Sequence, residues 1–260
     1  VLFRSFIMKH NIGYDLHTPN VDVSEENPDE IFDAVLMTVK YIVRESGIAK
    51  EDIKFISLSA QMHSLIAMNE DNQRLTENIT WADNRANDYA DLIEKSYGGF
   101  ELYQRTGTPI HPMSPLSKIF WMRHKEPKIF KQTAMFADLK TYVLFQLYER
   151  FVIDYSLGSA TGMMNLEQLD WDNKALELLG IERNQLPQLV PTTHVLTGMK
   201  KRYATLMGID EQTPVIVGAS DGVLSNLGVN SYQKGEVAVT IGTSGAIRTV
   251  INQPKTDRSE

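Results

Sequence analysis

The 260-residue sequence contains no cysteine, which excludes disulfides and thiolate metal sites and leaves nothing that points to an oxidising compartment. No apolar run approaches the roughly 20 residues that cross a bilayer. The opening Val1-Leu2-Phe3-Arg4-Ser5 lacks the charged, apolar and cleavage regions of a signal peptide. A cytoplasmic location without a membrane partner is the expectation. Positive charge is also scarce: 26 Lys and Arg face 33 Asp and Glu, for a net charge of −7. That balance argues against nucleic acid as the main partner but not against a nucleotide, whose phosphates need only local donors. No G-x-G-x-x-G opens a strand–helix unit, so a dinucleotide-dependent dehydrogenase is a poor reading. There is no internal repeat and no low-complexity segment.

What is present is ordinary globular composition, 42% apolar and 23% charged, in a chain long enough for one large domain or two modest ones. Asn27-Pro28-Asp29-Glu30 combines a capping side chain, a first-turn proline and acids, and predicts a helix start. Ile31, Val35, Val39 and Ile42 continue it at helical spacing to Gly47, its C-cap. Ile53 to Leu58 reads as a strand, with Leu65 to Met68 as its hairpin partner and Asn69 to Asn72 as the following turn. Further helices are expected near 84–95, 115–124, 138–148, 173–179 and 202–207. Strand and helix signals alternate, so the class is α/β.

Two β-branched runs near the end, Pro214 to Val217 and Val237 to Ile241, predict buried strands. Each is followed by a glycine-punctuated turn. The first turn, Gly218-Ala219-Ser220-Asp221-Gly222, carries an acid suited to a hydroxyl that must lose its proton. The second, Gly242-Thr243-Ser244-Gly245, offers backbone N–H groups and two hydroxyls suited to phosphate oxygens. Together they suggest phosphoryl transfer to an alcohol. Taken singly, the second is equally a hairpin turn, and Ser220 or Asp221 equally an N-cap. Three loops hold the remaining polar chemistry: Gln61-Met62-His63-Ser64, Trp81-Ala82-Asp83-Asn84-Arg85, and the proline-rich stretch from Gly107 to Pro115. Such side chains suit a polyhydroxylated ligand, which takes paired hydrogen bonds and packs its C–H face on an aromatic ring. Asp83 or Asn84 is alternatively the cap of the next helix.

With these residues assembled, the chain resembles the FGGY family of carbohydrate kinases, most closely the branch that phosphorylates gluconate. The segments that carry the likeness are Ser59 to Ser64, Thr80 to Arg85, Arg105 to Lys118, Gly162 to Leu166, and the two glycine turns with Leu224 to Asn230 between them. The match runs in order from about Asn20 to about Pro254. His124 stands where the family's signature usually has another polar residue, and Gly222 where xylulose-phosphorylating members have Asn.

The resemblance implies a ribonuclease-H-like domain of the actin and hexokinase type, the N-terminal, sugar-binding half of a two-domain kinase. Residues 1–250 would form that domain without its first strand and phosphate turn, and 251–260 would begin the connection to a second domain. It implies ATP and Mg²⁺ as cofactors, a sugar-acid substrate, and room for a homodimer. The expected reaction is phosphorylation of D-gluconate to 6-phosphogluconate, with another sugar or polyol kinase of the family, such as a xylulose kinase, or a non-catalytic sugar-binding module as alternatives. Asp221 is implied as the general base. Gln61, Met62, His63, Trp81, Asp83 and Arg85 are implied at the sugar, with Arg85 the candidate partner of its carboxylate. Gly242, Thr243 and Ser244 are implied at the nucleotide's phosphates, and no residue is assigned to metal. The 260-residue chain alone is expected to be inactive.

Overall fold

The computed structural model describes residues 7–241 and 245–257. Two short strands, β1 (Leu16–His17) and β2 (Glu25–Glu26), precede helix α1 (Pro28–Ser46). The start of α1 follows from its sequence: the Asn27 side chain accepts from the backbone N–H groups of Asp29 and Glu30, and Gly47 closes the helix at φ 66°. Strands β3 (Ile56–Ala60), β4 (Ile66–Met68) and β5 (Asn78–Ile79) follow, then helices α2 (Asn87–Ser96), α3 (Gly99–Thr106), α4 (Pro115–Lys125) and α5 (Pro127–Gln132). Next come β6 (Met135–Ala137), α6 (Leu139–Tyr148), β7 (Val152–Asp154) and α7 (Tyr155–Ala160). The chain continues through β8 (Met164–Asn165), β9 (Asp170–Trp171), α8 (Asn173–Leu179), β10 (Gln188–Val190), β11 (Val195–Leu196) and α9 (Lys201–Met207). It ends with β12 (Val215–Ser220), α10 (Asp221–Gly228), β13 (Val237–Ile241) and β14 (Gly245–Thr249).

The sheet that positions the site is β11-β12-β3, with β12 parallel to β3 and Ser220 in register with Ala60. Both strands therefore release their loops at the same end, the place where α/β sheets bind ligands. The register shifts between Ile216 and Ala219. Gly218 lies in this irregularity at φ 72°, so close to β3 that an added Cβ would stand 1.9 Å from the Leu58 carbonyl oxygen. Only glycine fits there. One side of this sheet packs into a core of Phe32, Leu36, Leu144, Met207, Val215 and Val217. A larger core gathers Leu116, Ile119, Phe120 and Met122 of α4 with Ile93, Leu102, Met164 and Leu179.

Three sequence expectations are corrected. The strand 65–68 does not form a hairpin with 53–58: β4 pairs antiparallel with β6, and β3 pairs with the distant β12, Ile56 with Val215 and Ala60 with Ser220, because hairpin proximity yielded to burial on both faces of β4. Neither Asp83 nor Asn84 caps α2, whose N-cap is Ala86, without a side-chain bond. The run from Val237 to Ile241 is a strand but not a buried one. Among the described residues it pairs only with β14, and Val237, Val239 and Ile241 are exposed.

Candidate active site

A cleft of about 730 Å³ opens at the shared end of β3 and β12. Met62 and His63 enter it from the loop after β3; Ser220, Gly222 and Val223 enter from the β12–α10 junction. Ser156, Ser159 and Ala160 of α7 form another wall, and Ile247, Arg248 and Thr249 of β14 complete the lining with Val250 just beyond it. Ser220 caps α10 by accepting from the Val223 N–H. That leaves Asp221 as the first helical residue, exposed, its Oδ1 accepting from the Gly222 N–H at 2.8 Å.

His63 adopts φ 64°, a left-handed conformation that a non-glycine residue needs a reason to hold. Its Nδ1 lies 2.8 Å from the Ala160 carbonyl, and its own carbonyl accepts from Lys118 Nζ at 2.6 Å. Burial, then the Lys118 charge, lower its pKa to about 4, against weaker opposing pulls from the Ala160 bond and Asp221. His63 is therefore neutral near pH 7. Because a carbonyl only accepts, Nδ1 carries the proton, and Nε2 is left as an acceptor for a ligand hydroxyl.

Lys118 was not singled out by its sequence, yet it joins two of the loops. It is fully buried in α4, and its Nζ donates to the His63 carbonyl and to the Thr80 carbonyl at 2.7 Å. Burial lowers its pKa to about 7, with Arg85 adding to the effect and Asp83 opposing it. The third loop senses the same charge, since burial and then Lys118 lower the pKa of His111. A sequence signal existed: Pro115, Trp121 and Met122 stand one turn from position 118 with Ile119 beside it, which is no place for a surface lysine.

A second network supports the acid. Ser220 N–H donates to Ser156 Oγ at 2.8 Å, Ser156 Oγ donates to Asp154 Oδ1 at 2.5 Å, and Asp154 Oδ2 pairs with Lys140 Nζ at 2.6 Å. Both members of that pair are buried.

The remaining expected site residues are placed elsewhere. Gln61 donates to Glu26 at 2.7 Å and lines a separate groove beside Lys140 and Tyr14. Asp83 is 1% exposed and receives the Ser24 N–H and the Arg85 guanidinium. Arg85 also pairs with Glu25 at 2.5 Å and stacks on Trp121, so its charge is matched within the fold. Burial lowers its pKa, but the bonds to Asp83 and Glu25 outweigh that and raise it. Trp81 is exposed and outside the lining of the cleft. Gly242, Thr243 and Ser244 lie outside the described residues. Among the described residues no group of three His, Cys, Asp or Glu is arranged to hold a metal ion, and no helix is long and apolar enough to cross a membrane.

Residues 4–228 match the profile of the FGGY family of carbohydrate kinases, N-terminal domain. A gluconokinase from Bacillus subtilis is 51% identical over 96% of this chain and 48% of its own length. A xylulose kinase from the same organism is 28% identical over 94% of this chain and 49% of its own length. Among solved structures, a gluconate kinase from Lactobacillus acidophilus superposes with a TM-score of 0.92 at 39% identity, covering 95% of this chain and 50% of that one. A Plasmodium falciparum glycerol kinase with ADP, 20% identical, shares the fold at a TM-score of 0.83, over 92% of this chain and 48% of its own. The chain spans about half the length of the curated relatives it matches.

Proposed function

Since the chain belongs to the FGGY family of carbohydrate kinases, we propose that the complete protein transfers the γ-phosphoryl group of ATP to the terminal hydroxyl of D-gluconate. The observation that carries this reading is that Asp221 follows β12 at the same end of the sheet where Met62 and His63 follow β3, near enough for its charge to act on His63. The similarity to gluconokinases at about half identity supports gluconate as the acceptor.

In this reading Asp221 accepts the proton of the attacking hydroxyl as its oxygen bonds to phosphorus and the bond to ADP breaks. The protein's part in such a transfer is positioning and charge stabilisation. His63 Nε2 accepts from another hydroxyl of the sugar chain, and the Met62 side chain supplies an apolar wall. The turn at Gly242, Thr243 and Ser244 serves the nucleotide phosphates. Mg²⁺ neutralises phosphate charge when bound with the nucleotide. Such ions take one or two carboxylates plus phosphate oxygens rather than an all-protein cage.

A xylulose kinase is the second reading, favoured by a ligand-bound xylulose kinase from Lactobacillus acidophilus that superposes equally well, at a TM-score of 0.92 and 39% identity. Against it stands Gly222 itself, at the position where xylulose-phosphorylating members have Asn. A panel of gluconate, xylulose and glycerol offered to the complete protein separates the readings. Asp221→Asn should then lower kcat by about 10²–10⁴-fold while leaving sugar binding nearly intact. Near-normal turnover in that variant removes Asp221 from the chemistry, and activity confined to xylulose overturns gluconate.

A further inference from the structure

The cations around this site are matched by partners within the fold, with one exception. Arg85 meets Asp83 and Glu25, Lys140 meets Asp154, and Lys118 is held by backbone carbonyls. Arg248 on β14 lines the cleft beside Met62, His63 and Gly222, and among the described residues it forms no ion pair. Its hydrogen bond is a single long one, from Nη1 to Thr240 Oγ1 at 3.3 Å.

The seat of this guanidinium is specific. A Cβ at position 222 would meet Arg248 Nε at 3.4 Å and Nη2 at 3.7 Å, as well as the Met62 methyl. The missing side chain therefore lets Arg248 lie over the first turn of α10, one residue from Asp221. A half-buried guanidinium with its fork unfilled calls for a ligand that accepts two parallel hydrogen bonds, which a carboxylate or a phosphoryl group does.

We infer that Arg248 binds an oxyanion group of a reactant in this cleft, the role that the sequence had suggested for Arg85. The inference rests on the kinase reading, and two sources supply the same chemistry: the carboxylate of a sugar acid or the phosphoryl group in transfer.

The test uses the complete protein with Arg248→Gln and Arg248→Lys, reading kcat, the KM for ATP and for gluconate, and calorimetric binding of gluconate without ATP. Loss of a charged, forked partner should lower kcat/KM for gluconate about 10- to 100-fold in Arg248→Gln. Arg248→Lys keeps the charge without the fork and should fall between that variant and wild type. If the source is the carboxylate, the calorimetric affinity for gluconate falls and the KM for ATP stays. If it is the phosphoryl group, gluconate affinity stays while kcat falls or the KM for ATP rises. Parameters of both variants within about twofold of wild type would overturn the inference. Should the complete protein prefer another acceptor, the gluconate reading fails by itself, and the same comparison with that acceptor still decides on Arg248.

Discussion

At the scale of single residues, His63 and Lys118 form a coupled pair. His63 is held in a left-handed backbone by the Lys118 bond to its carbonyl, and its ring is kept neutral partly by the same charge. Replacing Lys118 with Met should move the His63 titration midpoint upward from about 4 toward the ordinary 6.5, as read by NMR of labelled histidine. An unchanged midpoint would mean that burial alone sets it. The stability consequence has a definite sign. With its native pKa below its unfolded one, His63 binds its proton more readily in the unfolded chain. Its contribution is therefore intact above pH 6.5 and is lost as the pH falls through 4, by about 3 kcal/mol in all. Little of this was legible beforehand. Met62 and His63 could be read as loop chemistry because a polar loop after a buried strand is a natural place for ligands. Lys118 could not be read so readily, because a lysine's role depends on carbonyls brought to it from loops 38 and 55 residues away.

Elements explain both what the sequence revealed and what it withheld. Helix α1 was readable from end to end because its caps are local: Asn27, Pro28 and Gly47 act on their immediate neighbours. The pairing of β3 with β12, and of β4 with β6, was not, since a strand's own pattern does not name its partner. The exposure of β13 was missed because a β-branched run has the same composition whether one face is covered or none. Gly218 shows how sharply one pairing can be specified. Alanine there would need positive φ and would drive its methyl group into the Leu58 carbonyl. Gly218→Ala should cost about 3 kcal/mol or more, enough to lower the urea midpoint markedly or to prevent folding. A wild-type midpoint would show that β12 can slide away from β3 without loss.

For the molecule as a whole, the chain spans about half the length of the curated relatives it matches, and the turn expected at the nucleotide's phosphates, Gly242 to Ser244, lies outside the described residues. The 260-residue chain alone should show no gluconate-dependent ATP consumption in a coupled assay, whereas robust turnover would place a complete nucleotide site within it. Its exposed β13–β14 ribbon, with Val239 and Ile247 outward, should also promote self-association visible by light scattering. The fold class was legible at this scale because helix and strand signals alternate along the chain. The parallel pairing of β3 with β12 also has a kinetic consequence. Chain closure between Ala60 and Ser220 costs entropy before any contact repays it, and the loop carrying His63 cannot face Asp221 until that closure is made. Local helices such as α1 can form early, but the cleft is a late product of folding. A nascent chain thus completes its scaffold before the cleft exists, and any ligand of that cleft selects only those molecules that have finished.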